Sequence, residues 1–307
     1  MSSIIDSILK KAGDTELLNK LVAMPKADLN SLLLKVFQTQ ASNTKPVDLL
    51  KAFEINRFSV PSELDPVKYH ALETETLKTA QKFNFKAILL SPTAPLSSCS
   101  AFGCVDQNNI ISATRGCEIL ADPTNMIALI IASKLKNKEL DNQPPIHYCT
   151  TTRITRSAFR QNAKMHFAHF GVFCIVSSGK DTGSYACEKD LLLKQIDFLK
   201  KLLIEKYNAK LEITLRKRGG YADNDYFFDT MTKLIKSKFP DVPLSYDLEH
   251  TENNYYKGIN YKIYMDKQGE KIEIGDGGFV DWIQQMTNNK KERCLICGIS
   301  LDRLLLI

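Results

Sequence analysis

The sequence has no run approaching the roughly 20 apolar residues that cross a bilayer, and its opening Met1-Ser2-Ser3-Ile4-Ile5-Asp6 lacks the basic and apolar regions of a secretion signal. A cytoplasmic protein without a membrane segment is the expectation. It also lacks internal repeats and low-complexity tracts, which excludes a repeat array. Charge of one sign is scarce: 41 Lys and Arg against 35 Asp and Glu leave +6, spread along the chain. That permits an anionic ligand such as a nucleotide without demanding nucleic acid. What is present is ordinary: 307 residues, 44% hydrophobic and 25% charged, enough for one large core and a small accessory unit. Among the eight cysteines, Cys117, Cys149, Cys174 and Cys187 have apolar or strand-like neighbours and read as free core thiols.

From Ile4 to about Phe53 apolar residues recur at helical spacing, with breaks at Asp14, Lys26-Ala27-Asp28 and Asn43-Thr44-Lys45-Pro46. Residues 1–55 therefore read as a small helical unit of three or four short helices. A polar connector from Asn56 leads to a long helix over Asp65 to Lys82, then a strand from Phe83 that ends on Pro92. Beyond it, strand-like runs at Asn109 to Ser112, Glu118 to Ala121, His147 to Ile154, His169 to Val176, Lys210 to Arg216, Tyr255 to Met265, Lys271 to Ile274 and Arg293 to Ile299 alternate with helices at Met126 to Lys136, Glu188 to Tyr207 and Asp223 to Lys238. Antiparallel hairpins with helices between them argue for α+β.

Near the C-terminus Tyr255-Tyr256-Lys257-Gly258-Ile259-Asn260-Tyr261 is followed by Gly277-Gly278-Phe279-Val280-Asp281 and then Gly298-Ile299-Ser300-Leu301-Asp302-Arg303-Leu304. In that order these resemble the tyrosine-pair strand, the Gly-Gly turn and motif 3 of histidyl-tRNA synthetases. Upstream, the helix and strand ending at Pro92 are similar to that family's motif 1. The run from Thr114 to Met126 resembles its strand-to-helix segment, and His147 to Phe173 is placed like motif 2.

The resemblance implies a class II aminoacyl-tRNA synthetase-like antiparallel sheet flanked by helices over residues 56–307, with no anticodon-binding domain. It implies a homodimer built on motif 1, and a site that binds ATP with magnesium and activates an amino acid or other small carboxylate. Arg153 would meet the α-phosphate and Arg303 the γ-phosphate, since a guanidinium can donate a forked pair of hydrogen bonds and keeps its charge. Arg156 lies three residues beyond Arg153, and a strand's period of two puts the pair on opposite faces. Gly298 would let a nucleotide approach the sheet. Asp122, Tyr255, Tyr256, Gly277, Gly278 and Asp281 would contact the substrate.

The chain departs from the family pattern at Thr155, Ala121-Asp122-Pro123, Thr251 to Asn254 and Phe279. Those departures open a second reading, a non-catalytic regulatory or ligand-sensing paralogue similar to the ATP phosphoribosyltransferase regulatory subunit, which would bind a protein partner. A third, an RNA-binding module, rests on Arg216-Lys217-Arg218 beside Tyr221. Cys294 and Cys297 have the spacing of half a zinc site, but nothing in sequence completes four ligands, so no metal site is expected. His166, His169 and Cys174 read as packing or substrate contacts on a strand.

Overall fold

The computed structural model describes residues 2–140, 145–157, 168–248 and 254–306. Thr251 to Asn253 and His166 lie outside the described residues. Four helices open the chain: α1 (Ser2–Lys11), α2 (Leu17–Ala23), α3 (Lys26–Ser42) and α4 (Pro46–Ile55). None of α2, α3 and α4 holds a buried residue. Helix α3 touches the rest of the chain through Asn30, whose side-chain oxygen accepts from the backbone N–H groups of Arg115 and Gly116 at 2.9 and 3.3 Å.

Helix α5 (Pro66–Lys82) starts where Asp65 accepts from the N–H groups of Val67 and Lys68, with Pro66 at the first helical position. The strand that follows is only two residues long, β1 (Lys86–Ala87). Pro92 then leads into a small antiparallel sheet of β2 (Thr93–Pro95), β3 (Ser112–Ala113) and β4 (Cys117–Ile119), in the order β2-β4-β3. The strand expected over Asn109 to Ser112 is a 3-10 turn running into β3, because Asp106 accepts from Asn108 N–H and caps the turn.

Helix α6 (Pro123–Lys136) precedes the hairpin β5 (Ile146–Thr155) and β6 (His169–Lys180). Helix α7 (Ala186–Tyr207), β7 (Lys210–Lys217), α8 (Asn224–Lys238), β8 (Leu244–Tyr246), β9 (Lys257–Lys267), β10 (Glu270–Val280), α9 (Trp282–Thr287), β11 (Glu292–Ser300) and α10 (Leu301–Leu306) complete the chain. The eight-stranded sheet runs β1-β5-β6-β11-β10-β9-β7-β8; β1–β5 and β7–β8 pair parallel, and every other pair is antiparallel.

Alternation decides what each sheet face meets. On β11, Leu295, Cys297 and Ile299 join Phe173 and Ile175 of β6 and Ile263 of β9 in the main core, with Leu191, Leu199 and Leu203 of α7 and Met231 of α8. Cys294 and Ile296 face the other way, into a second cluster with Ile127 and Ile131 of α6 and Trp282 of α9. Cys294 and Cys297 are therefore core thiols on opposite faces, and burial pushes both thiols up. Cys149 and Cys187, pushed up to about 12 by burial, are buried as expected, whereas Cys117 is only half-buried.

Strand β10 is longer than expected and takes in the Gly277-Gly278 pair, so these residues form no turn. Neither has the left-handed backbone of a turn glycine. Glycine is needed there for close approach. A Cβ at position 277 would lie 2.5 Å from the Tyr261 ring, and one at 278 would lie 2.6 Å from Tyr256.

Candidate functional site

On the sheet face opposite α7, beyond the cover of α6 and α9, a cavity of about 460 Å³ opens over β5, β6, β9, β10 and β11. Its apolar floor includes Ile154, Val172, Cys174 and Ile296. Even-numbered residues of β6, β9 and β11 point into it, and Lys262 is the one charged member of the β9 stretch Ile259–Ile263.

A register shift between Glu273 and Gly275 breaks the alternation of β10. Before it, even residues such as Ile272 and Ile274 face the main core; after it, odd residues such as Phe279 do. This bulge turns both Glu273 and Asp276, an odd three residues apart, toward the same amine. Lys262 Nζ donates to Glu273 Oε1 at 3.0 Å and to Asp276 Oδ2 at 3.2 Å. Burial acts to lower the Lys262 pKa, but Asp276 and Glu273 outweigh it and the amine stays charged, above its ordinary value.

The tyrosine pair divides its work. Tyr255 donates to Asp122 Oδ2 at 2.7 Å, and Asp122 also caps α6 by accepting from the N–H and hydroxyl of Thr124 at 2.9 and 2.6 Å. Tyr256 hydrogen-bonds Asp276. Burial first, then the neighbouring carboxylates, pushes both phenols up, so each remains a donor at neutral pH. Both line the cavity, because they precede β9 in an irregular segment where strand alternation does not part them.

The two arginines of the β5 region part company. Arg156 lines the cavity; its Nε donates to Ala121 O at 3.0 Å and its guanidinium lies over the Phe170 ring. Among the described residues its two terminal nitrogens have no partner. Arg153 is on the opposite face of the strand and does not border the cavity. It donates to both oxygens of Asp302 at 3.3 Å and to His169 Nδ1 at 3.0 Å, and stands over the Tyr69 ring of α5. His169 Nε2 donates to Val60 O at 2.7 Å, which leaves Nδ1 as the acceptor from Arg153. The strand places Ile154, buried and apolar, at the cavity where the expectation set Arg153.

Arg303 borders the cavity and donates to Glu273 O at 2.6 Å. Asp302 is 2% exposed and accepts from Gly171 N–H at 2.8 Å, tying α10 to β6. Gly298 and Gly275 both line the floor; a Cβ on Gly275 would collide with Gly298 O. Gly277, Gly278 and Asp281 lie outside the lining. Asp281 instead accepts from Gln285 Nε2 at 2.8 Å and sits 3.5 Å from Lys257 Nζ.

The sequence reading missed Arg57, Lys262, Glu273 and Asp276, all of which line the cavity. A lysine inside an apolar strand was the available signal. It also read Arg216-Lys217-Arg218 as a basic surface. Arg216 pairs with Asp247 and Lys217 with Asp225, each at 2.7 Å, and Arg218 is buried with its guanidinium on Asn260 Oδ1.

Four cations (Arg57, Arg156, Lys262, Arg303) and four carboxylates (Asp122, Glu273, Asp276, Asp302) line this space. Magnesium triphosphate calls for a surplus of unengaged cations. Here Lys262 is held by two carboxylates and Arg303 already donates to a carbonyl, so the donor set suits a ligand carrying both signs of charge. Among the described residues no group of three or more His, Cys, Asp or Glu is placed to hold a metal ion, and no helix is long and apolar enough to cross a membrane.

Sequence comparison finds no matching protein-family profile and no curated relative. Solved structures match closely in shape. Apo histidyl-tRNA synthetase of S. aureus superposes with a TM-score of 0.59 at 13% identity, over 80% of this chain and 69% of that one. An ATP phosphoribosyltransferase regulatory subunit/histidyl-tRNA synthetase from Bacillus halodurans gives 0.58 at 13%, over 80% and 81%. A putative threonyl-tRNA synthetase from Aeropyrum pernix gives 0.61 at 11%, over 81% of this chain and 60% of that one. The fold is that of the class II aminoacyl-tRNA synthetases. At these identities the likeness is one of fold, and the large central sheet flanked by helices agrees with it.

Proposed function

We propose that the cavity binds an amino acid or a similarly small zwitterion and that the protein is a ligand-sensing paralogue of the histidyl-type synthetases. The carrying observation is the pairing of opposite charges around one small space: Arg156, whose terminal nitrogens have no partner among the described residues, shares its lining with the carboxylates Asp122 and Asp276, already organised by phenols. A carboxylate on the ligand takes the Arg156 fork. Its ammonium takes the remaining lone pairs of Asp122 and Asp276. Arg153, the arginine expected at the α-phosphate, serves as a bolt between β5, α5 and α10, which argues against activation of the bound acid. The Bacillus halodurans protein, whose name joins a regulatory subunit to a synthetase, supports a sensing role that ends on a protein partner.

Trp282, the single tryptophan, packs edge-on against Tyr255 at 5.1 Å between ring centroids. Its fluorescence therefore reports the cavity. Titration with an amino-acid panel is expected to give saturable quenching by one member, weakened at least tenfold by Arg156→Gln. A panel with no response at millimolar concentrations removes the reading.

Adenylate formation from ATP and a small carboxylate is the second reading, favoured by Arg303 and Arg156 both bordering the cavity above the bare backbone of Gly298. A homodimer accompanies either reading. Leu89, 96% exposed, and Val67, 77% exposed, lie on the segment that resembles motif 1, where a two-fold partner would cover them. Light scattering at micromolar concentration is expected to give twice the 34.7 kDa chain mass.

A further inference from the structure

At the β1–β5 edge of the sheet a second cavity, about 710 Å³ and open to solvent, lies between the C-terminal end of α6 and the first turns of α7. Lys86, Lys134 and Lys194 border it, together with Asn84, His147 and Asp190. Lys134 is paired with Glu139 at 2.6 Å. Among the described residues no carboxylate lies within ion-pair distance of Lys86 or Lys194, whose amines stand instead over the rings of Tyr148 and Phe85. Three lysines against the two carboxylates Glu139 and Asp190, with two of the amines outside ion-pair distance of either, leave this rim short of negative charge.

The hydrogen bonds behind His147 say what the cavity wall offers. Gln195 Nε2 donates to the carbonyl of Leu295 at 3.1 Å, which fixes the amide's orientation, and its Oε1 accepts from the Tyr261 hydroxyl at 2.9 Å. The same Nε2 donates to Ser177 Oγ at 2.9 Å, and Ser177 Oγ lies 2.9 Å from His147 Nδ1. Ser177 Oγ can accept twice, but among the described residues its own proton has no acceptor other than His147 Nδ1, so it is donated there. That tautomer puts the remaining ring proton on Nε2. His147 is 9% exposed, its Nε2 has no partner among the described residues, and the ring borders the cavity. The wall thus presents an N–H donor in the same lining as Lys86 and Lys194, neither of which has a carboxylate partner among the described residues. Burial, with Lys194 adding to it, holds His147 down to about 4, so the ring is neutral at physiological pH and keeps this donor arrangement.

We propose that this edge cavity is a second ligand site, distinct from the zwitterion cavity, that takes a small phosphate-bearing anion on Lys86, Lys194 and the His147 Nε2–H. The site draws on no residue of the first cavity and stands or falls without it. Helix α6, whose C-terminal end borders this cavity, begins at Asp122 of the first one.

Inorganic phosphate is the probe, titrated at constant ionic strength into the full chain while the ring resonances of its five histidines are followed. Saturable movement of the His147 resonances is expected. Lys86→Gln with Lys194→Gln should weaken the apparent affinity at least tenfold, and Lys86→Arg with Lys194→Arg should keep it within threefold. Thermal melting checks that both pairs fold, and if the Gln pair does not, the wild-type His147 response decides alone. His147 resonances that stay put up to 50-fold excess phosphate over protein overturn the proposal. So does an affinity unchanged by the Gln pair.

Discussion

The two faces of the central sheet meet different fates. Toward α7 and α8 the β11 side chains Leu295, Cys297 and Ile299 are covered and sit in a continuous apolar core. On the other face the strand starts equally covered, at Cys294 and Ile296 under α6 and α9, and then runs out from beneath them at Gly298 and Ser300. The same strand, with the same pleat, makes a core on one side and a charge-lined cavity on the other. What differs is the length of the helices above it. One face is built to exclude water and the other to hold charge, so damage to each should be read by a different instrument.

The largest expected effect lies on the packed face. Leu199→Ala removes a fully buried side chain of α7 and should cost about 4 kcal/mol of stability in a urea titration. The comparison breaks if that substitution lowers ligand affinity as well as stability.

At the edge of the same face His147 should make stability depend on pH. Its folded pKa, about 4, lies below the 6.5 of an exposed histidine, so the unfolded chain binds the extra proton first. The contribution is fully present above about pH 6.5 and is lost as pH falls toward 4, a change of about 3 kcal/mol. Urea midpoints between pH 7 and 4, with His147→Gln flattening that slope, are the check.

How far the sequence exposed this plan depends on what alternation can carry. The ordered motifs announced the sheet and its flanking helices, because apolar periods are local. The opposite placement of Arg153 and Arg156 also followed from a period of two, but which one faces the ligand did not. That choice is made by Asp302, almost 150 residues away in sequence, which draws Arg153 to the helix side. The Glu273 and Asp276 pair was hidden for a related reason. A one-residue bulge reverses the phase of β10, and no pattern in Glu273-Ile274-Gly275-Asp276 announces it.

Gly277→Ala tests the seam between the two faces. The new Cβ would meet the Tyr261 ring from within the sheet, and overpacking of this kind should cost about 2 kcal/mol while leaving the charged lining in place. The smallest stability change belongs to the cavity face. Tyr255→Phe removes one hydrogen bond to Asp122 and should cost about 1 kcal/mol in thermal or urea unfolding. Its larger consequence is expected in binding, about tenfold weaker ligand affinity by Trp282 fluorescence, as Asp122 loses the donor that orients it. A Tyr255→Phe protein that binds as well as wild type would shift the amine site to Asp276.

The central claim is that the cavity holds its ligand without activating it, and pyrophosphate exchange measures that directly. With purified protein, magnesium, ATP, labelled pyrophosphate and each amino acid in turn, including whichever quenches Trp282, the account predicts no label in ATP above a blank without protein. Amino-acid-dependent exchange that is abolished by Arg303→Gln would contradict it and make the cavity an adenylate-forming active site.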